Sequence, residues 1–124
     1  MILVDTSVWI DHLRRGDHDL ATLLESRRVL IHPFVIGELA LGRLRERDEI
    51  LELLKSLPLA TRALDEEVLA YIEHHAIDGL GIGYVDAHLM AATQITPGAS
   101  LWTRDQRLLS AAVNVRLATV SFPI

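Results

Sequence analysis

Short apolar runs alternate along this chain with longer stretches of helical periodicity. Ile2-Leu3-Val4 and Val29-Leu30-Ile31 are too brief for helices and read as buried strands. Ala99 to Thr103 and Val115 to Val120 read as two later strands, and Leu59 to Leu64 as a further extended segment. Between them the apolar spacing is helical. Thr6 and Ser7 offer cap oxygens to a helix reaching about Arg14, closed by Gly16. Leu20, Leu23 and Leu24 mark a second helix within Asp17 to Arg28. Pro33 opens a third, predicted to run to about Arg47, and another follows over Glu49 to Ser56 before Pro58. Asp65-Glu66-Glu67 is an acidic helix start, with Val68, Leu69 and Ile72 as the buried face. Further helices are predicted over Tyr84 to Thr93 and Gln106 to Ala112. Strands separated by helices predict an α/β fold with a central parallel sheet flanked by helices on both faces. Such sheets bind ligands at the carboxyl ends of their strands.

Four carboxylates interrupt that pattern where the topology gathers strand ends: Asp5, Glu38, Asp86 and Asp105. Asp5 ends the first strand, and Asp105 follows Leu101-Trp102-Thr103-Arg104. Glu38 lies inside Phe34-Val35-Ile36-Gly37-Glu38-Leu39-Ala40-Leu41, and Asp86 precedes the apolar stretch His88-Leu89-Met90-Ala91-Ala92. Each has a structural role open to it. Asp5 and Asp105 suit helix caps, Asp86 suits the first turn of a helix, and Glu38 suits an exposed helical face. Taken together, four acids in apolar frames are expected to cluster, and like charges at close range demand a compensating cation. A hard, oxygen-seeking ion such as Mg²⁺ or Mn²⁺ meets that demand. Such ions activate water and stabilise in-line displacement at phosphorus, which points to phosphodiester hydrolysis without a covalent intermediate.

Composition sharpens this picture. A length of 124 residues predicts one domain spanning 1–124. The net charge of −5 is the wrong sign for holding nucleic acid by bulk electrostatics. Cancelling the four acids with two divalent ions would leave the remainder near −1. Cysteine is absent, so neither disulfides nor thiolate zinc sites arise. No apolar run approaches the roughly 20 residues of a membrane span, and a cytoplasmic protein with no membrane partner is expected. Gly79-Leu80-Gly81-Ile82-Gly83 lacks the Lys-Ser/Thr of a phosphate-binding loop and reads as a flexible approach to Asp86. His74-His75 is adjacent and reads as a solvated face, while His12, His18, His32 and His88 lack partners at ligand spacing. Ser7 reads as a cap or supporting donor, with no Ser-His-Asp set around it.

At the acidic segments the chain resembles the PIN-domain ribonucleases, and among them the VapC toxins of bacterial toxin–antitoxin pairs. Val4-Asp5-Thr6-Ser7-Val8-Trp9-Ile10 matches the opening strand and first acid, and Pro33 to Gly42 around Glu38 looks like the second acidic motif. Asp86 with His88-Leu89-Met90-Ala91-Ala92 looks like the third, and Leu101-Trp102-Thr103-Arg104-Asp105 like the fourth. The resemblance implies an endoribonuclease dependent on Mg²⁺ or Mn²⁺, acting on RNA. It implies Asp5 and Asp86 as principal metal ligands, Glu38 and Asp105 completing the catalytic pocket, and Thr6, Ser7 and Thr103 as donors orienting the carboxylates. It also implies a homodimer silenced by a VapB-type antitoxin lying over the pocket and a neighbouring apolar groove. Where some relatives carry a further acid after the fourth, this chain has Gln106 and Arg107, which puts a fully ligated second metal in doubt and offers a cation to substrate phosphate. Two other readings stand beside this one. One is an inactive PIN-like module binding RNA or protein. The other is phosphoryl transfer through an aspartyl phosphate, against which the missing second aspartate after Asp5 and the lack of a supporting lysine both count.

Overall fold

The computed structural model describes residues 1–119. Its centre is a three-stranded parallel sheet in the order β2-β1-β3, with β1 Ile2–Val4, β2 Val29–Leu30 and β3 Ser100–Trp102. Every side chain of β1 is buried. Successive side chains on a strand point to opposite faces, so both faces of the sheet are covered. The cover comes from α1 Thr6–Arg15, α2 His18–Glu25, α3 Pro33–Leu41, α4 Arg47–Ser56, α5 Asp65–His75, α6 Tyr84–Ile95 and α7 Gln106–Asn114.

The chain leaves β1, crosses to β2 on one side, and returns through four helices to β3 on the other. That reversal creates a crevice beyond the carboxyl ends of β1 and β3. The Asp5 amide donates to the Trp102 carbonyl at 2.9 Å, so the two strand ends that flank the crevice are tied together.

The core explains why this arrangement holds. Leu3, Trp9, Leu20, Leu23, Leu89, Met90, Leu101 and Leu108 are sealed from solvent, each such burial being worth about 1.5–3 kcal/mol. Helix α6 is buried without a break from Ala87 to Thr93. Its small Ala91 and Ala92 let it lie close against β3 and α5. That position sets the N-terminal turn of α6, which carries Asp86, within reach of the charges of Asp5 and Asp105.

Three predicted elements differ in extent. The helix opened by Pro33 stops at Leu41 rather than near Arg47. Gly42 turns its amide back to the Leu39 carbonyl, and the next helix starts only after Glu46 adopts a positive φ of 50°. The segment from Leu59 makes a single parallel bridge to Ile31 rather than a strand. The last predicted strand is likewise reduced to a bridge between Ala118 and Leu101, and Val120 lies outside the described residues.

Candidate active site

Asp5 is the most deeply placed of the four acids, 5% exposed at the end of β1. Its Oδ2 accepts the Ser7 hydroxyl at 2.7 Å, the Thr103 hydroxyl at 2.8 Å and, at 3.4 Å, the Ser7 amide. It therefore caps α1. Its Oδ1 accepts no hydrogen bond from the described residues and is not sealed from solvent.

The same division recurs in the other three. Asp105 caps α7 through Oδ1, which accepts the Arg107 and Leu108 amides at 3.0 Å each. Asp86 sits three residues into α6 and reaches back with Oδ2 to the Gly83 amide at 3.1 Å. Glu38, on α3, accepts the Thr6 hydroxyl on Oε1 at 2.7 Å. In each carboxylate one oxygen is bound to a protein donor, and the other takes no hydrogen bond among the described residues. Helix-terminal amides and short hydroxyls thus orient the acids without consuming them.

Supporting donors link the acids to one another. Thr103 is buried, and besides donating to Asp5 it accepts the Asp105 amide at 3.1 Å. Ser7 Oγ, while donating to Asp5, accepts the Arg104 amide at 3.0 Å. Thr6 follows Asp5 in sequence and holds Glu38. The three hydroxyls expected to orient carboxylates do so.

The charges of the other three acids are felt at Asp86. The Asp86 carboxyl is pushed above the ordinary carboxylate range, chiefly by burial. The Gly83 amide opposes this, while the charges of Asp5, Asp105 and Glu38 add to the rise. Nearby cations do not relieve it. Arg104, next to Asp105 in sequence, is engaged by Asp11 at 2.7 Å and by Asp17, and stacks over Trp102. Burial raises the Asp17 carboxyl, but the Arg104 guanidinium and the Leu20 and Asp19 amides together outweigh it and the net shift is downward.

The apolar frames misled in one respect. Only Asp5 is buried; Asp86 is half-buried, and Glu38 and Asp105 are exposed. The cap roles considered for Asp5 and Asp105 are also realised, alongside the charge each exerts on Asp86. Among the described residues no three acids draw together into an all-protein metal cage. An open set of oxygen donors suits Mg²⁺, which keeps several waters and takes only one or two carboxylates. The donor chemistry and the uncompensated field on Asp86 therefore fit a hydrated divalent ion.

The PIN domain profile matches residues 2–114. Ribonuclease VapC32 of Mycobacterium tuberculosis, in strains CDC 1551 / Oshkosh and ATCC 25618 / H37Rv, is 45% identical over 118 residues, which is 95% of both chains. This chain belongs to the PIN-domain family, in its VapC branch. A crystal structure of FitAcB from Neisseria gonorrhoeae superposes with a TM-score of 0.60 at 22% identity, covering 91% of this chain and 94% of that one. At that identity the likeness speaks for the PIN fold alone.

Two features of this PIN domain have residues that the sequence does not single out. The Gly83 amide that holds Asp86 is one, since a glycine gives no sign of what its amide will bind. The other is a groove of about 480 Å³ running beside Glu38, floored by Ile10, Leu13, Leu39 and Ile50 and edged by Arg14 and Arg43. Its floor is assembled from α1, α3 and α4, which no single segment announces.

Proposed function

We propose that the acidic pocket is the active site of a metal-dependent endoribonuclease, the toxin of a VapBC-type pair, with residues 1–124 acting as one PIN domain. The observation that supports this most is the division of labour in the four carboxylates, each anchored by one oxygen and open at the other. In this reading Asp5 and Asp86 hold Mg²⁺ or Mn²⁺ through their open oxygens. When bound, the ion supplies charge neutralisation at the phosphate and activation of the attacking water. Glu38 and Asp105, more exposed, orient the water by accepting its hydrogens. Ser7, Thr103 and the Gly83 amide keep Asp5 and Asp86 from rotating toward substrate phosphate.

The groove beside Glu38 is the proposed seat of the antitoxin. A VapB-type segment with an apolar face would lie on Ile10, Leu13, Leu39 and Ile50, its acidic flank meeting Arg14 and Arg43, and would screen the pocket from RNA. The protein is further proposed to act as a homodimer in the cytoplasm. Leu64 and Leu69 on the outer side of α5 stay exposed and are available for self-association. Among the described residues no helix is long and apolar enough to cross a membrane.

The test is cleavage of total RNA by purified wild type and Asp86→Asn, with Mg²⁺ or Mn²⁺ and with chelator. Discrete fragments from wild type, only in the presence of metal, are the expected result. Cleavage by Asp86→Asn at near wild-type rate would overturn the assignment.

A further inference from the structure

Arg107 lies in the first turn of α7, two residues beyond Asp105, and its side chain folds across onto the loop that leads to Asp86. A Cβ placed on Gly81 would fall 2.8 Å from its Nη1, 3.0 Å from its Cδ and 3.2 Å from its Cζ. Gly81 also has a φ of 78°, a conformation that side chains other than glycine's rarely adopt. The guanidinium therefore rests on bare backbone that any larger residue would occupy.

Its charge is unspent. Among the described residues no carboxylate pairs with the guanidinium and no carbonyl accepts from it; the bond Arg107 makes to Asp105 comes from its backbone amide. Arg104, three residues earlier, shows the contrast, with both of its arms taken by Asp11 and Asp17. A cation close to carboxylates normally pairs with one of them. Here the acids are anchored by amides and hydroxyls, and Arg107 is held against the loop between the segments carrying Asp105 and Asp86.

Building on the ribonuclease reading, we infer that Arg107 is a substrate-binding residue that grips an RNA phosphate flanking the scissile bond, with Gly81 as its seat. A planar fork with free donors suits a phosphate, and a cation at the rim lets a polyanion approach an acidic pocket. Because the phosphate bound is not the reacting one, its loss acts on KM rather than on kcat.

The experiment compares wild type, Arg107→Gln and Arg107→Lys on one RNA fragment that wild type cuts, over a series of salt concentrations. Arg107→Gln is expected to raise KM about tenfold, the worth of one charge-assisted contact, with kcat little changed. It should also flatten the dependence of log kcat/KM on log salt by about 0.7, as expected for one fewer phosphate on a single strand. Arg107→Lys keeps the charge, so it should restore the salt slope while recovering KM only in part. Equal salt slopes for wild type and Arg107→Gln would overturn the inference. A wild type that cuts no RNA would overturn the ribonuclease reading itself and this inference with it, and the wild-type lane separates that failure from the first.

Discussion

Thr103 stands between two of the acids, its hydroxyl donating to Asp5 Oδ2 at 2.8 Å and accepting the Asp105 amide at 3.1 Å. One buried hydroxyl therefore sets the rotation of the Asp5 carboxylate and the path of the backbone entering Asp105. Ser7 repeats the arrangement from the opposite side, donating to Asp5 and accepting the Arg104 amide. The ends of β1 and β3 are thereby fastened through side chains as well as through the sheet.

Replacing Thr103 with Val keeps the shape and removes the hydroxyl. Cleavage should fall about 10- to 100-fold, as is usual when a group supporting a metal-site residue is lost. Stability should drop by about 1–3 kcal/mol, because the buried Asp5 carboxylate loses a donor and the part-buried Asp105 amide its acceptor. Denaturant unfolding and single-turnover cleavage read the two effects separately.

Asp86→Asn should abolish cleavage and leave the metal-free protein as stable as wild type or more so. The raised pKa of Asp86 means that its ionised form is disfavoured by burial and by Asp5, Asp105 and Glu38. An uncharged amide of the same shape relieves this while its oxygen still accepts from Gly83. Thermal melts in chelator test the point; a clear loss of stability would contradict it.

Millimolar Mg²⁺ should raise the wild-type melting temperature by a few degrees, since an ion binding only the folded state stabilises it by mass action. The same addition to Asp86→Asn should have little effect. Equal shifts in both proteins would place the ion elsewhere.

His32 gives the fold an acid limit. It is buried, its Nδ1 accepts the Phe34 amide at 3.0 Å as the cap of α3, and its pKa is lowered to about 4 by burial and then by His88 and Arg62. Below about pH 6.5 the unfolded chain takes up a proton that folded His32 refuses until about pH 4. Stability contributed by neutral His32 is thus present above pH 6.5 and is lost progressively as pH falls through that window. The slope from this residue reaches up to about 1.4 kcal/mol per pH unit. His32→Asn, which can still cap the helix but cannot titrate, should show a shallower acid limb in denaturant melts across pH 4 to 7.

What the sequence made legible follows from how local each signal is. Asp5 and Asp105 each end an apolar run and open a helix, so strand, acid and helix lie within a few residues, and their positions could be read directly. Glu38 lies on the expected helix but, despite its apolar neighbours in sequence, on the exposed face, because an apolar stretch on a short helix near the surface leaves one side open; Leu41 nearby is 91% exposed. The extended segments predicted from Leu59 and from Val115 shrink to single bridges because parallel pairing depends on what lies alongside, and at Leu59 and Ala118 only one residue finds a partner. Arg107 on Gly81 joins residues far apart in sequence through a positive φ, and nothing local to either announces the contact.

The cap geometry at Asp5 and Asp105 changes what a knockout of either residue measures. Each carboxylate terminates a helix with the same group that faces the crevice. Truncation to Ala strips the chemistry and frays α1 or α7 together, at a cost of about 0.5–2 kcal/mol for the lost cap. An inactive Asp5→Ala or Asp105→Ala protein could owe its silence to either loss. The amide substitution, which still accepts the capping hydrogen bond, separates a disarmed enzyme from a loosened one.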